Sequence, residues 1–236
     1  MNEGVLIHAG INYIMSPLAE TSRRKGLDFQ HSLLEQGIEI AESKYEKGKT
    51  INVAITDPIS VNIKVSSIGP GVGQLLLLGA GRPGDTHTFG VQAEAIIEAY
   101  KQTWPSEKHQ IGHCDITLRM LYETSSEHAF ELIWQRRLKQ APESLSILGP
   151  VLGGGLRFVT PPTQEQEEPH VTEIKIESFL RDTSKLFVET QFKWETPPRN
   201  WTFNPMERIT EVNEYIENQV MNFIDWQEED NDSEVD

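Results

Sequence analysis

The 236-residue chain holds a single cysteine, which excludes an intramolecular disulfide and any all-cysteine metal site. It is also poor in cations, with 21 lysines and arginines against 36 aspartates and glutamates. The net charge of −15 argues against nonspecific binding to phosphate backbones, which needs a surplus of lysine and arginine. No apolar run is long enough to cross a bilayer, and the opening residues lack a basic stretch followed by an apolar core. The expectation is a cytoplasmic protein with no membrane partner and no direct contact with nucleic acid. Acidity of this kind is read first as solubility. A sharper reading, an acidic mimic of nucleic acid, requires carboxylates in two regularly spaced rows.

What is present is a pattern of strands. In residues 172–195, Ile174, Ile176, Ser178 and Leu180 alternate with Glu173, Lys175, Glu177 and Phe179, the period of a strand buried on one face. After the break at Arg181-Asp182-Thr183-Ser184, Leu186, Val188, Phe192 and Trp194 alternate with Phe187, Glu189, Gln191 and Lys193. Opposed residues must share a face, so Glu173, Lys175 and Glu177 have to oppose odd-numbered residues of the second run. That requires an odd-length loop or a bulge.

A similar pattern lies upstream. Residues 61–68 match 172–179 at a shift of 172 − 61 = 111, which also aligns Leu75 with Leu186 and Leu76 with Phe187. Residues 8–12 match 113–117 at a shift of 113 − 8 = 105. The matches point to a duplicated unit. The expected fold is α+β, with two tandem β-α-β-β-β-α repeats forming a twisted, mainly antiparallel sheet with helices packed on one face. The first repeat spans residues 1–105, the second 106–226, and an acidic, disordered tail 227–236.

Taken in order, a first strand runs from Gly4 to Met15 with Val5, Ile7, Ala9, Ile11 and Tyr13 on one face. Residues 16–26 read as a loop. Leu34, Ile38, Ala41 and Tyr45 recur at helical spacing between a cap at Asp28 and a stop at Gly48. Strands follow over 50–56, 60–67 and 74–78, and then a helix carries Phe89, Ala93, Ile96, Ile97, Tyr100 and Trp104. The second unit opens with a strand over 110–123, with Cys114, Ile116, Leu118, Met120 and Tyr122 inward. A helix with Phe130 and Ile133 comes next, then a strand over 151–160. Gly153-Gly154-Gly155 marks a bulge or close backbone approach in that strand. The acidic linker 161–169 reads as mobile. Asn204-Pro205-Met206-Glu207 starts the last helix.

The element order is similar to the repeated unit of the TATA-box-binding-protein-like fold, although the acidic charge speaks against DNA binding here. Three segments carry a second likeness: the strand-helix opening, the helix before Trp104 leading into IGHCDITLRMLYE, and the terminal helix after FLRDTSKLFVETQFKW. With these the chain resembles a sporadically distributed family of uncharacterised bacterial proteins. The proline-rich opening of that family is absent here, and no functional residue follows from the likeness.

Candidate chemistry is sparse. Gly79-Ala80-Gly81-Arg82-Pro83-Gly84 matches G-x-G-x-x-G. Pro83 removes a donor, however, and the surrounding strands read as antiparallel, so a loop that redirects the chain is the simpler reading. Cys114 lies between His113 and Asp115, but neighbours on a strand point to opposite faces, which makes the thiol a core residue. His109 and His113 would stand about 13 Å apart along a strand and cannot share a metal. No catalytic, cofactor or metal residue is assigned.

The outward face holds the candidate binding residues. His8 and Asn12 align with His113, Asp115 and Arg119, near Lys175 and Glu189, while Leu76 and Phe187 place apolar anchors on the same face. The expectation is a non-enzymatic interaction or regulatory protein whose open sheet face is covered by a protein partner or a second copy. The alternative is a small-molecule-binding protein or enzyme using a cleft between the repeats with His113, Asp115 and Arg119.

Overall fold

A computed structural model describes residues 4–17, 19–46, 48–105, 110–164, 166–198 and 201–225. The expected acidic tail and His109 lie outside these residues. The fold is α+β. Among the described residues, nine strands form one antiparallel sheet in the order β2-β3-β4-β5-β1-β6-β9-β8-β7. They are β1 (Val5–Ser16), β2 (Ile40–Glu46), β3 (Thr50–Ile55), β4 (Val61–Gly69), β5 (Val72–Gly84), β6 (Gln110–Glu123), β7 (Gly155–Thr160), β8 (Val171–Ser178) and β9 (Lys185–Trp194). The helices are α1 (Arg23–Glu35), α2 (Thr86–Thr103), α3 (Ala129–Glu131) and α4 (Pro205–Tyr215). A π-turn (Leu132–Arg137) extends α3, and a second (Ile216–Val220) carries α4 into α5 (Met221–Asp225).

β1 and β6 lie side by side at the centre, where Ile11 opposes Ile116. Their alternate residues Ile11, Tyr13, Ile116 and Leu118 are fully buried and join one core with Leu75, Leu77, Val188 and Phe192. Tyr100 of α2 reaches this core and donates to Met15 Sδ (3.2 Å). Tyr122 of β6 donates to Glu217 Oε1 (2.9 Å). Gly90 lets α2 approach α4, because a Cβ there would stand 2.6 Å from Met206 Sδ.

Several local expectations are corrected. The helix expected from Asp28 to Gly48 instead begins at Arg23, with Ser22 Oγ accepting from the Lys25 amide (3.3 Å), and it ends at Glu35. Gly37 at φ +76° and the Ile38 amide bonded to Leu33 O (2.9 Å) form a C-terminal cap that terminates it. The following residues pair with β3 as an edge strand. Leu34, which seeded the helical pattern, is 56% exposed, and Phe29 and Leu33 are buried instead.

β1 carries a register shift between Leu6 and His8. An extra residue flips the faces on either side of it, so Leu6 is buried while Val5 is exposed. The glycine-rich run 79–84 is not a loop. It continues β5, with Gly79 opposite both Ala9 and Val61. Leu180 is exposed rather than inward. The strand expected from Val151 starts only at Gly155, and Glu168 of the supposedly mobile linker accepts from Trp201 Nε1 (2.7 Å).

The hairpin β8–β9 has the odd loop that the face pattern required, with Lys175 opposite Glu189 and Glu173 opposite Gln191. A single shift of 111 does not hold across it. Ile63 pairs with Leu77, so the shift would pair Ile174 with Val188, whereas Ile174 pairs with Thr190.

Candidate functional site

Strand alternation places every candidate binding residue on the sheet face opposite Ile11 and Ile116. Across β1–β6, His8 opposes Arg119 and Asn12 opposes Asp115. Across β6–β9, Arg119 opposes Glu189. On this outer face two polar groups form.

The first is a transverse chain of hydrogen bonds. Ser66 Oγ donates to Gln74 Oε1 (3.2 Å), Gln74 Nε2 to Asn12 Oδ1 (2.8 Å), and Asn12 Nδ2 to Asp115 Oδ2 (2.8 Å). Gln191 Nε2 donates to Asp115 Oδ1 (3.2 Å), and His113 Nε2 lies 3.2 Å from Asp115 Oδ2. The chain crosses β4, β5, β1, β6 and β9. Burial pushes the Asp115 carboxyl up, but the hydrogen bonds from His113, Asn12 and Gln191 outweigh it and hold the group below its usual range.

The second group is ionic. Arg119 and Lys175 both pair with Glu189. Glu173 takes Arg157 (2.7 Å) and Lys193 (3.0 Å). Burial pushes the Glu189 carboxyl up, and its bonds from Lys175 and Arg119 bring it below the ordinary glutamate value. His8 beside them is held below its ordinary pKa, first by burial and then by the Arg119 charge.

The two apolar anchors do not meet. Leu76 opposes Asn12 and, with Leu78, Lys64 and Asn62, lines a concavity of about 280 Å³ over β2–β5. Phe187 opposes Leu121, which opposes Val5, so a separate apolar row forms at the other end of β1. Their equivalence under the repeat does not survive the pairing. The counterpart of Asn12 at a shift of 105 is Thr117, and Thr117 pairs with Gln191, not Phe187.

Sequence reasoning passed over Gln74, Ser66, Gln191, Glu173 and Lys193. Gln74, Gln191, Glu173 and Lys193 share the parity of a residue chosen on the same or the paired strand, and that parity was the available signal; Ser66 lies on β4, from which no candidate was drawn. It also passed over a buried cation. Arg208, 8% exposed, lies 5.3 Å from the Trp194 ring and 4.9 Å from the Trp201 ring and pairs with Glu168 and Glu211. These contacts clamp the segment before β8 onto α4. No periodicity marks them, because the partners come from three separate stretches.

Chemically, His113 and Asp115 form a two-group pair that could orient an imidazole. Arg119 is turned away to Glu189. Cys114 is fully buried on the opposite face, and burial pushes its thiol far above the range where a thiolate forms. Among the described residues, no group of three or more His, Cys, Asp or Glu is arranged to hold a metal ion. Neither a family model nor a curated protein matches the chain.

Proposed function

We propose that this is a non-enzymatic interaction or regulatory protein of the cytoplasm whose partner covers the outer face of the sheet. The observation that carries the reading is the chain Ser66–Gln74–Asn12–Asp115–Gln191, which fixes side chains on five strands before any partner arrives. A preorganised surface loses little side-chain entropy on binding. Half-exposed Leu76 and Leu78 on one side and Leu121 and Phe187 on the other offer apolar anchors around it. The carboxylates of Asp115, Glu173 and Glu189 are engaged by amides and cations, which disfavours a mimic of nucleic acid. In this reading the two halves of the sheet descend from one duplicated unit, with their helices on the face away from the partner.

A second reading rests on the concavity over β2–β5, where Lys64, Asn52 and Asn62 surround Leu76 and Leu78. A small anionic molecule with an apolar body would suit it. Hydroxyl-radical footprinting in gentle cell extract, compared with the purified chain, separates the two. Protection of Leu76, Leu78, Leu121 and Phe187 together supports a partner over the whole face. Protection of Leu76 and Leu78 alone supports the small molecule, and none at either end removes both.

A further inference from the structure

A buried glutamine amide on α2 is only half satisfied. Gln92 is 4% exposed, and its Nε2 donates to Asp57 O and to Ile59 O (3.1 Å each), which ties α2 to the turn between β3 and β4. Both partners are carbonyls, so the amide nitrogen has to face them and the amide admits one orientation. Its Oε1 is left buried without a hydrogen-bond partner. A bare buried acceptor lowers stability until something donates to it.

Gln92 borders a concavity of about 390 Å³ enclosed by the link from α1 to β2, the turn between β3 and β4, and the first half of α2. Ile38, Pro58, Val91 and Ala95 give it apolar walls. Val91 is 50% exposed there, although it sits on a helix packed against the core. Small-molecule sites run from about 300 to 1,000 Å³, so the concavity is of a size for one.

Charge and donor capacity select the occupant. Glu39 and Asp57 are the carboxylates of the lining, both exposed, and among the described residues neither pairs with a cation. The amide end of α2 would by itself favour an anion, but Asp85 already caps it, its carboxylate accepting from the Thr88 amide. Gln92 Oε1, Glu39 and Asp57 are all acceptors. They are matched by a group that has N–H donors, positive charge and no acceptor of its own, which describes an ammonium or a guanidinium.

We propose that this concavity binds a small organic cation, a guanidinium or ammonium on a short apolar stem. Its N–H groups donate to Gln92 Oε1 and to the Asp57 and Glu39 carboxylates, and the stem lies against Ile38, Val91 and Ala95. Oε1 is closed to water, so binding turns a rim side chain aside. His87 and Val91, both exposed, border the concavity and have room to turn. The site shares no residue with the outer face described above, and either reading can fail alone.

The test titrates the isotope-labelled chain with butylguanidinium and follows its amide resonances by NMR. Butylurea keeps the stem and N–H groups without the charge, butyltrimethylammonium keeps the charge without N–H groups, and pentanoate reverses the charge. Butylguanidinium should give saturable shifts confined to residues 36–39, 57–59 and 87–95, the Gln92 side-chain amide included. Each control should bind at least tenfold more weakly. The Glu39→Gln and Asp57→Asn double variant, at two exposed positions, should weaken binding at least fivefold. Gln92→Met removes the acceptor and should weaken it at least tenfold. Should Gln92→Met fail to fold by circular dichroism, the double variant and the three controls decide. An arginine placed within a blocked peptide should bind more weakly, because its neighbours meet the rim at Pro58 and His87. Equal binding of that peptide would assign the site to a protein side chain and overturn the proposal. So would shifts spread over other residues, a control that binds as well as butylguanidinium, no saturation at millimolar concentration, or unchanged affinity in the double variant.

Discussion

Asn12 and Asp115 face each other across the central strand pair, with Asn12 Nδ2 2.8 Å from Asp115 Oδ2. Each is bonded onward, Asn12 to Gln74 and Asp115 to Gln191, so this contact is the link between the two halves of the outer-face chain. Asn12→Ala removes the donor to the Asp115 carboxylate and the acceptor of Gln74, and Asp115→Ala removes the acceptor of Asn12 and Gln191. A hydrogen bond to a charged group contributes about 1.5–3 kcal/mol, so each variant should lower stability by about 2–3 kcal/mol. Urea unfolding measures both. Equal, negligible losses would mean that the chain does not tie the strands.

Acid should weaken the fold in a way that Glu189 and Asp115 set. Both carboxyls are held below their ordinary values, so between the unfolded and folded pKa the unfolded chain binds more protons than the native one. Their contribution is complete above the ordinary carboxylate range of about 4 and is lost as pH falls through the depressed folded values. His8, also depressed, stays neutral in the fold while the unfolded imidazole protonates, so its loss begins higher, below about pH 6.5. Denaturant midpoints from pH 7 to pH 3 should fall less steeply in Glu189→Gln, and His8→Gln should flatten the part nearest pH 6. Unchanged slopes in both variants would count against these assignments.

Gly155 tests the close backbone approach expected from the triple glycine. A Cβ there would stand 2.2 Å from Ile176 O and 2.8 Å from Glu177 Cα, and neither backbone atom can yield without moving β8. Gly155→Ala should cost about 1–3 kcal/mol, the usual range for overpacking. Gly69→Ala, with nothing within 4 Å of its Cβ position, serves as the control. A thermal melt that finds the two alike would show that β7 adjusts freely.

The legible parts of the fold were those where one face is strictly buried. Cys114 to Tyr122 alternate without a break, and Phe89 to Trp104 keep one stripe, so β6 and α2 were plain from the chain alone. The misreadings arose where a single residue overrides the pattern. Gly37 ends α1 and releases the next residues to β2, although Ile38, Ala41 and Tyr45 keep helical spacing. The shift after Leu6 puts Leu6 inward in place of Val5, while Ala9, Ile11 and Tyr13 stay inward as the alternation required. The shared outer face of His8, Asn12, Asp115, Arg119 and Glu189 followed from parity. Their division into a hydrogen-bond chain and an ionic group depends on cross-strand register, which no single strand encodes.

The central claim is that the outer face is covered. Its most direct test is the native mass of untagged protein taken gently from its source cells, alongside the Leu76→Asp and Phe187→Asp double variant. The wild-type chain should carry a stoichiometric second protein or a second copy of itself, and the variant should be bare. A bare wild-type monomer, or an added mass that the double variant retains, would contradict it.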